Sequence, residues 1–466
     1  MEVETSVNME VDNSFNTEEG NDKKRETKQL ESRSLLMPHL REYCPASNLA
    51  FNEHVNKLIA EGKKVYHFAF GQSPFPVLKS AQKSLGEHAW QSAYLPVAGL
   101  PELRARICNF HSKLDGLVHL QSDNVVVGPG SKELIFLLLH VFDGDVLILS
   151  PSWTTYKPQT LLAGKKAIEV STKFEDNWKI KPKDLEKIIM ENCVSPNRLL
   201  IFCNPDNPTG TCYSAEDLEA LSVVLRKHNT IVLSDEIYAR LHFDNNHISI
   251  AKVYPEGTIL SSGISKWASA GGWRLGYSIY PSELKELNKA VCSAASHTYS
   301  CAPAPVQYAA VRLFCYEEDT MSYVLHCRRI LAAVAKYCYK QLTSVGVKAV
   351  MPTSGFYIFP DFEILKPAFD RRGIETCTQM CEALFEETNV AVMAGGPAFL
   401  RPTHEFTVRL CYINFDGARA LVGSEKFGVD EPLTDAFLHE YCLPVVEGIQ
   451  AIKKWVVDHL EMKKPK

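Results

Sequence analysis

The chain of 466 residues is 45% hydrophobic and 23% charged, proportions of a globular enzyme with room for a large domain and a smaller one. Its formal charge of −5 excludes a basic nucleic-acid face, and no Lys/Arg-rich tract marks a membrane surface. The longest apolar run, 134–142, is interrupted by His140 and is too short to cross a bilayer.

Residues 1–33 are polar, rich in Glu, Asn, Asp and Lys, and nearly free of large apolar side chains, which predicts a disordered tail. The tail stays acidic through Glu19, unlike an organelle transit peptide or a secretory signal, so a cytoplasmic enzyme is expected. The fourteen cysteines form no CxxC pair and read as reduced thiols. The fifteen histidines contain no HExxH or comparable cluster, and no metal site is expected.

Beyond about residue 122, short apolar runs alternate with amphipathic segments. Runs 124–127, 146–149, 167–170, 199–202, 230–233 and 258–260 read as buried strands, and 132–141, 182–192 and 215–228 as helices. This alternation predicts an α/β fold with a mostly parallel sheet flanked by helices. Past residue 340 the pattern becomes α+β, with strands over 354–362, 390–394 and 405–412 and a last helix over 438–460. The expected organisation is a small domain in two pieces, 34–80 and 341–466, around a large domain over 81–340.

The residues with chemical potential gather after predicted strands. Asn207 follows 199–202, Asp235 follows 230–233 and Lys266 follows 258–260. In open α/β sheets the ligand crevice lies at these carboxyl ends. Lys266 stands among small residues in the stretch SSGISKWASAGGWRLGY (261–277), with Arg274 eight positions on. Restricted hydration there favours a neutral amine, and the small neighbours leave room for a flat aldehyde. Asn204-Pro-Asp-Asn-Pro-Thr-Gly is a tightly constrained turn. Gly128-Pro-Gly-Ser-Lys-Glu opens a helix after a strand, an arrangement that seats phosphate. Arg409, in the apolar strand Phe406-Thr-Val-Arg-Leu, needs an anionic partner if buried. Taken singly, Asp235 also reads as a helix N-cap, Trp153 in Pro151-Ser-Trp as a core side chain, and Tyr94 as a loop tyrosine.

These motifs, in this order from about residue 35 to 460, closely resemble the class I aminotransferases, which are fold-type I pyridoxal 5'-phosphate enzymes. The pattern is most similar to the aspartate/prephenate aminotransferase subgroup. The resemblance implies that Lys266 is the Schiff-base lysine and the carrier of the substrate's proton. It implies that Asp235 keeps the cofactor's ring nitrogen protonated, while Asn207 and Tyr238 contact its phenolic oxygen and Trp153 stacks on the ring. Ser131, Lys132, Ser265 and Arg274 would cradle the phosphate. Tyr94, in Tyr94-Leu-Pro-Val-Ala-Gly, would reach the phosphate of a neighbouring subunit, which implies a homodimer with shared sites. Arg409 would clamp the substrate α-carboxylate, and Gly71, in Phe70-Gly-Gln, would bring bare backbone to the substrate. One departure is Gly263, where many members have the first serine of Ser-x-Ser-Lys; that phosphate contact is lost or moved.

The resemblance makes the partners small amino and 2-oxo acids. Ser296 replaces the arginine that animal-type aspartate aminotransferases direct at a distal carboxylate. Lys132 occupies the place where the aspartate/prephenate subgroup holds such a lysine; it also reads as a solvated residue in a helix's first turn. His297 and Tyr299 are the candidates for an aromatic-accepting pocket instead. Aspartate- or glutamate-type substrates are the favoured reading, against aromatic or neutral ones. A lyase on the same scaffold, such as an aminocyclopropane-carboxylate synthase or a β-lyase, would keep the cofactor residues. A non-catalytic relative would have lost Lys266, Asp235 or Arg409, and all are present.

Overall fold

In the computed structural model, residues 34–41 and 47–461 are described. The tail expected over 1–33 lies outside them. Strand β1 is a two-residue piece, Tyr66–His67. The next seven strands form one sheet: β2 (Val125–Gly128), β3 (Asp145–Ser150), β4 (Ala167–Ser171), β5 (Arg198–Cys203), β6 (Thr230–Asp235), β7 (Thr258–Gly263) and β8 (Gly276–Ile279). Their order across the sheet is β2-β8-β7-β6-β5-β3-β4, and every adjacent pair from β7 to β4 is parallel. Strand β8 runs antiparallel to both of its neighbours.

Leu199, Leu200, Ile201 and Phe202 of β5 are all buried, because helices cover both faces of the sheet. The apolar runs are therefore continuous rather than alternating. Local signals start the helices where they are needed. Ser214 Oγ accepts from Asp217 N–H at 3.2 Å, and Asp217 Oδ2 accepts from Ser214 N–H at 3.1 Å, a capping box for helix Ala215–Lys227. Helix Pro182–Asn192 begins on the proline, whose fixed φ suits a first turn.

The later strands are short. They are β9 (Tyr357–Ile358), β10 (Val390–Ala391), β11 (Met393–Ala394) and β12 (Val408–Cys411). Strands β11, β12 and β9 form an antiparallel sheet, while β10 pairs in parallel with β1. The single strand expected over 390–394 is thus split at Val392 between two sheets. The helix expected over 438–460 is also split at Cys442, into Asp435–Tyr441 and Leu443–Glu461. Pro444 cannot continue a helix that began before it but is tolerated in the first turn of a new one.

The chain divides between positions 43 and 44, and the described residues 47–461 form one compact unit. That boundary falls inside the expected 34–80 piece. The expected 340/341 boundary falls inside helix Glu318–Thr343. One core cluster also joins Val125 and Ile279 of the large sheet to Val408 and Leu410 of the small one. The described cysteines are all free thiols. Among the described residues, no helix is long and apolar enough to cross a membrane, and no His/Cys/Asp/Glu group is arranged to hold a metal ion.

Candidate active site

The strand ends open onto a cavity of about 530 Å³. Asp235, the last residue of β6, is buried there in register with Cys203 of β5 and Ser261 of β7. It caps no α-helix; its Oδ2 accepts from the Tyr156 hydroxyl at 2.7 Å and its Oδ1 from Ile237 N–H at 3.3 Å. Burial pushes this carboxyl up to about 6, against the pull of the Tyr156 hydroxyl.

Asn207 and Tyr238 are buried beside it, and Asn207 Nδ2 donates to the Tyr238 hydroxyl at 3.4 Å. The Tyr238 and Tyr357 hydroxyls are 2.9 Å apart. The turn that carries Asn207 closes on Gly210, at φ +71°, where a Cβ would lie 2.6 Å from the Tyr357 carbonyl oxygen. That explains the glycine.

Lys266 reaches the cavity from the loop after β7. Its Nζ donates to the Gly71 carbonyl oxygen at 2.8 Å and lies 5.8 Å from the Tyr238 ring centroid. Burial, reinforced by the Arg409 charge, lowers its pKa to about 8. Gly71 itself has no room for a side chain, since a Cβ would come within 2.0 Å of the Tyr357 hydroxyl.

Ser131, Lys132, Ser265 and Arg274 also line the cavity. Helix Ser131–Val141 starts there after Gly130, which sits at φ +93°. A Cβ on Gly130 would meet Arg274 Nη2 at 2.1 Å, and one on Gly276 would meet Ser131 N at 2.1 Å. The two glycines allow an N–H-rich, cationic cup to form. Gly263 is equally constrained, with the Leu275 carbonyl oxygen 2.8 Å from its Cβ position. A serine would not fit there without a shift, and the Ser262 hydroxyl is turned to the Glu236 carbonyl oxygen at 3.4 Å. The missing contact is therefore not taken over by Ser262.

Lys132 is not a solvated first-turn lysine. Its Nζ lies 5.0 Å from the Trp153 ring centroid inside the cavity, and burial and Arg274 both lower its pKa. It makes no ion pair among the described residues. Trp153 is a cavity wall, set edge-on to Tyr156.

Arg409 comes from β12 and is 2% exposed. Its Nη2 donates to the Ala69 carbonyl oxygen at 2.7 Å and its Nη1 to Asn207 Oδ1 at 3.4 Å. The guanidinium is flanked by Tyr357 and Phe399, at 4.9 and 5.0 Å from their ring centroids. No carboxylate of the described residues pairs with it, and its Nε has no partner. A buried guanidinium without an acid, facing a cavity, is prepared for an incoming anion.

Tyr94, expected at a neighbouring subunit's site, and His297 and Tyr299, the alternative aromatic candidates, do not line this cavity. Tyr94 is 88% exposed, His297 is exposed, and Tyr299 is half-buried but does not line it. The aromatic pocket expected from His297 and Tyr299 is thus not formed within the chain, because helix Lys285–Thr298 and the turn after it lie outside the cavity wall. Conversely, Tyr156 and Tyr357 line the cavity without having been singled out. Tyr156 stands three residues after Trp153, a spacing that offered a clue. Tyr357 is placed by pairing with Cys411, a long-range register that no local pattern announces.

A lowered amine, a buried acid and an anion cup at the carboxyl edge of a parallel sheet define a fold-type I pyridoxal-phosphate enzyme. Residues 62–418 match the family described as Aminotransferase class I and II, and the chain belongs to that family. It is a pyridoxal-phosphate-dependent transaminase. The aspartate aminotransferase of Geobacillus stearothermophilus is 32% identical over 389 residues, covering 81% of this chain and 94% of the relative. The aspartate/prephenate aminotransferase of Thermus thermophilus is 29% identical, covering 69% and 83%. Among solved structures, the Thermus thermophilus aspartate aminotransferase with maleate superposes with a TM-score of 0.74 at 27% identity, over 85% of this chain and all (100%) of that one. An aromatic aminotransferase from Pyrococcus horikoshii gives 0.70 at 26% identity, over 87% and 99%.

The donors present fit the cofactor. The cup crowded against Gly130 and Gly276 suits a phosphate, the buried Asp235 suits a ring N–H, and Trp153 offers a flat face.

Proposed function

We propose that the enzyme transfers amino groups between aspartate- or glutamate-type amino acids and 2-oxo acids. The observation that carries this is that two cations without an acid partner, Arg409 and Lys132, line the same cavity as Lys266. One suits an α-carboxylate and the other a distal carboxylate. The names of the relatives, and maleate (a dicarboxylate) in the Thermus neighbour, agree with this reading.

Pyridoxal phosphate supplies an aldehyde that takes up the amino group and a ring that delocalises the electron pair left at the α-carbon. Ser131, Ser265, Arg274 and the helix N–H groups would hold its phosphate, and Trp153 would offer a flat face to the ring. Asp235 would hold a proton on the ring nitrogen, while Asn207 and Tyr238 would donate to the phenolic oxygen. Lys266, whose amine faces the cavity, would be the group that holds the cofactor's aldehyde carbon. As a free amine, its Nζ would take the α-proton of a substrate clamped by Arg409 and deliver it to the cofactor's aldehyde carbon, across the nitrogen that links the two. A pKa of about 8 suits an amine that must act as base and then acid near neutral pH. Gly71 offers its carbonyl oxygen to the free amine.

The exposed Tyr94 fits a residue that completes a neighbouring subunit's phosphate cup, in a cytoplasmic homodimer with shared sites. Residues 34–80 and 341–466 are read as the small domain, for which the β1–β10 pairing is support, with 81–340 as the cofactor domain.

A panel of amino donors against 2-oxoglutarate tests the substrate. Aspartate is expected to exceed phenylalanine and tyrosine in kcat/KM, and Lys132→Met to cut aspartate turnover about tenfold while sparing neutral donors. Equal turnover of aspartate and phenylalanine would overturn the dicarboxylate reading. Sustained product formation, well beyond one equivalent per site, without any oxo-acid acceptor would favour a lyase.

A further inference from the structure

Segment 395–401 joins the two parts of the site. It leaves β11, whose Met393 is paired with Arg409, and ends against the turn that carries Trp153. Along it, Phe399 is fully buried and rests on the Arg409 guanidinium, while its carbonyl oxygen accepts from Ser152 N–H at 3.1 Å. The next residue, Leu400, is held at φ +65°, a left-handed conformation that a non-glycine residue adopts only when its surroundings impose it. The Leu400 carbonyl oxygen accepts from Ser150 Oγ at 2.6 Å.

Arg401 then fastens the segment. Its Nε and Nη2 donate to the two carboxylate oxygens of Glu405, both at 2.7 Å, a fork-to-fork pair. Its Nη1 turns to the sheet edge, 3.3 Å from the Thr172 carbonyl oxygen and 3.4 Å from Ser150 Oγ. The guanidinium also lies 5.1 Å from the Trp178 ring centroid. With its side chain only 11% exposed, Arg401 thus spans from the end of the small sheet to the ends of β3 and β4. No lysine can make all these contacts, because they need a planar fork with donors on both sides.

We infer that Arg401 is a positioning residue, which through Leu400 and Phe399 sets Arg409 against the Trp153 wall and so governs how tightly substrate carboxylates are held. The inference rests on the proposed role of Arg409 as the carboxylate clamp. Arg401 faces Ser150, Thr172, Glu405 and Trp178, all outside the cavity lining, so it acts through the segment and not by touching substrate. Arg401 contacts neither the cup residues nor Asp235.

The test uses the holoenzyme with Arg401→Met, Arg401→Lys and Arg409→Leu, reading KM, kcat, and calorimetric affinity for maleate. Displacing a clamp by a fraction of an ångström is expected to raise KM and weaken maleate by about tenfold in Arg401→Met, with kcat within about threefold. Arg401→Lys is expected to resemble Arg401→Met, since charge without the fork does not restore the geometry. A folded Arg401→Met enzyme with unchanged KM and maleate affinity overturns the inference, whatever its loss of thermal stability. So does full rescue by lysine. Should Arg401→Met not fold, Ser150→Ala removes the Leu400 anchor instead and is expected to raise KM in the same sense; no rise there overturns the inference too. Failure of the Arg409 reading is distinguishable, because Arg409→Leu itself would then leave maleate affinity unchanged.

Discussion

The two walls of the cavity are built differently. On one side stand β3, β5, β6 and β7, six-residue strands whose neighbours fix their register along several consecutive pairs. On the other stand β9 and β11, two residues each, and the four-residue β12 that carries Arg409. Groups on the long strands owe their placement to a ladder that one substitution does not shift. Arg409 owes its placement to side chains and turns around it, such as Phe399 and segment 395–401. Loss of a sheet-edge group should therefore remove chemistry, while damage on the other wall should mainly weaken substrate binding.

Lys266→Ala gives the largest expected effect. With no amine to move the α-proton, turnover should fall by roughly 10³-fold or more. Single-turnover assays with aspartate check it. Turnover near the wild-type rate would break both the comparison and the assignment of Lys266.

Arg409→Leu should leave the cofactor's affinity unchanged and lower kcat/KM by about 10²-fold, mostly through KM, because a desolvated carboxylate loses its charged partner. Titration of the apoprotein with pyridoxal phosphate, beside steady-state kinetics, separates the two walls. A fall in cofactor affinity of similar size would show that they are not independent.

The same contrast decided what could be foreseen from residues alone. Asn207, Asp235 and Lys266 follow long apolar runs, and a run of that kind ends where its strand ends, so the sheet edge was legible. Strand β8 was not, because Gly276–Ile279 closes the stretch that holds Lys266 and carries too few residues for a pattern of its own. On the small-sheet wall, Arg409 was visible as an arginine in an apolar strand, but Tyr357 and Phe399 were not, since their positions follow from contacts distant in sequence. His297 and Tyr299, the candidates for the alternative aromatic pocket, do not line the cavity of the single chain, and helix spacing does not say which way helix Lys285–Thr298 faces it.

A pH series sharpens the sheet-edge side. The Lys266 amine titrates at about 8 instead of its ordinary 10.5, since burial disfavours the charge. Between those values the unfolded chain binds the extra proton, so stability of the apoprotein rises with pH across that window. Below pH 8 both states are protonated and folding bears the full cost, on the order of 3 kcal/mol. Apoprotein Lys266→Met should accordingly be more stable than wild type at pH 7, with the gap closing toward pH 10.5. Denaturant unfolding at several pH values measures it, and a gap that does not change with pH would refute the cause.

The smallest expected effect concerns Tyr156, whose hydroxyl is the one side-chain donor to Asp235 among the described residues. Asp235 sits at about 6 against an ordinary 3.8, so between those values the folded apoprotein keeps a proton that the unfolded chain has released. Its stability falls as pH rises through that window and levels off above it. The Tyr156 hydroxyl lowers the carboxyl's pKa, and Tyr156→Phe therefore extends the window above pH 6. The variant should match wild type closely near pH 4 and lose about 1–2 kcal/mol relative to it by pH 8, the worth of a hydrogen bond to a charged group. A deficit of equal size at both pH values would mean that Tyr156 contributes packing alone, and that Asp235 is held by its strand without help from the side chain beside it.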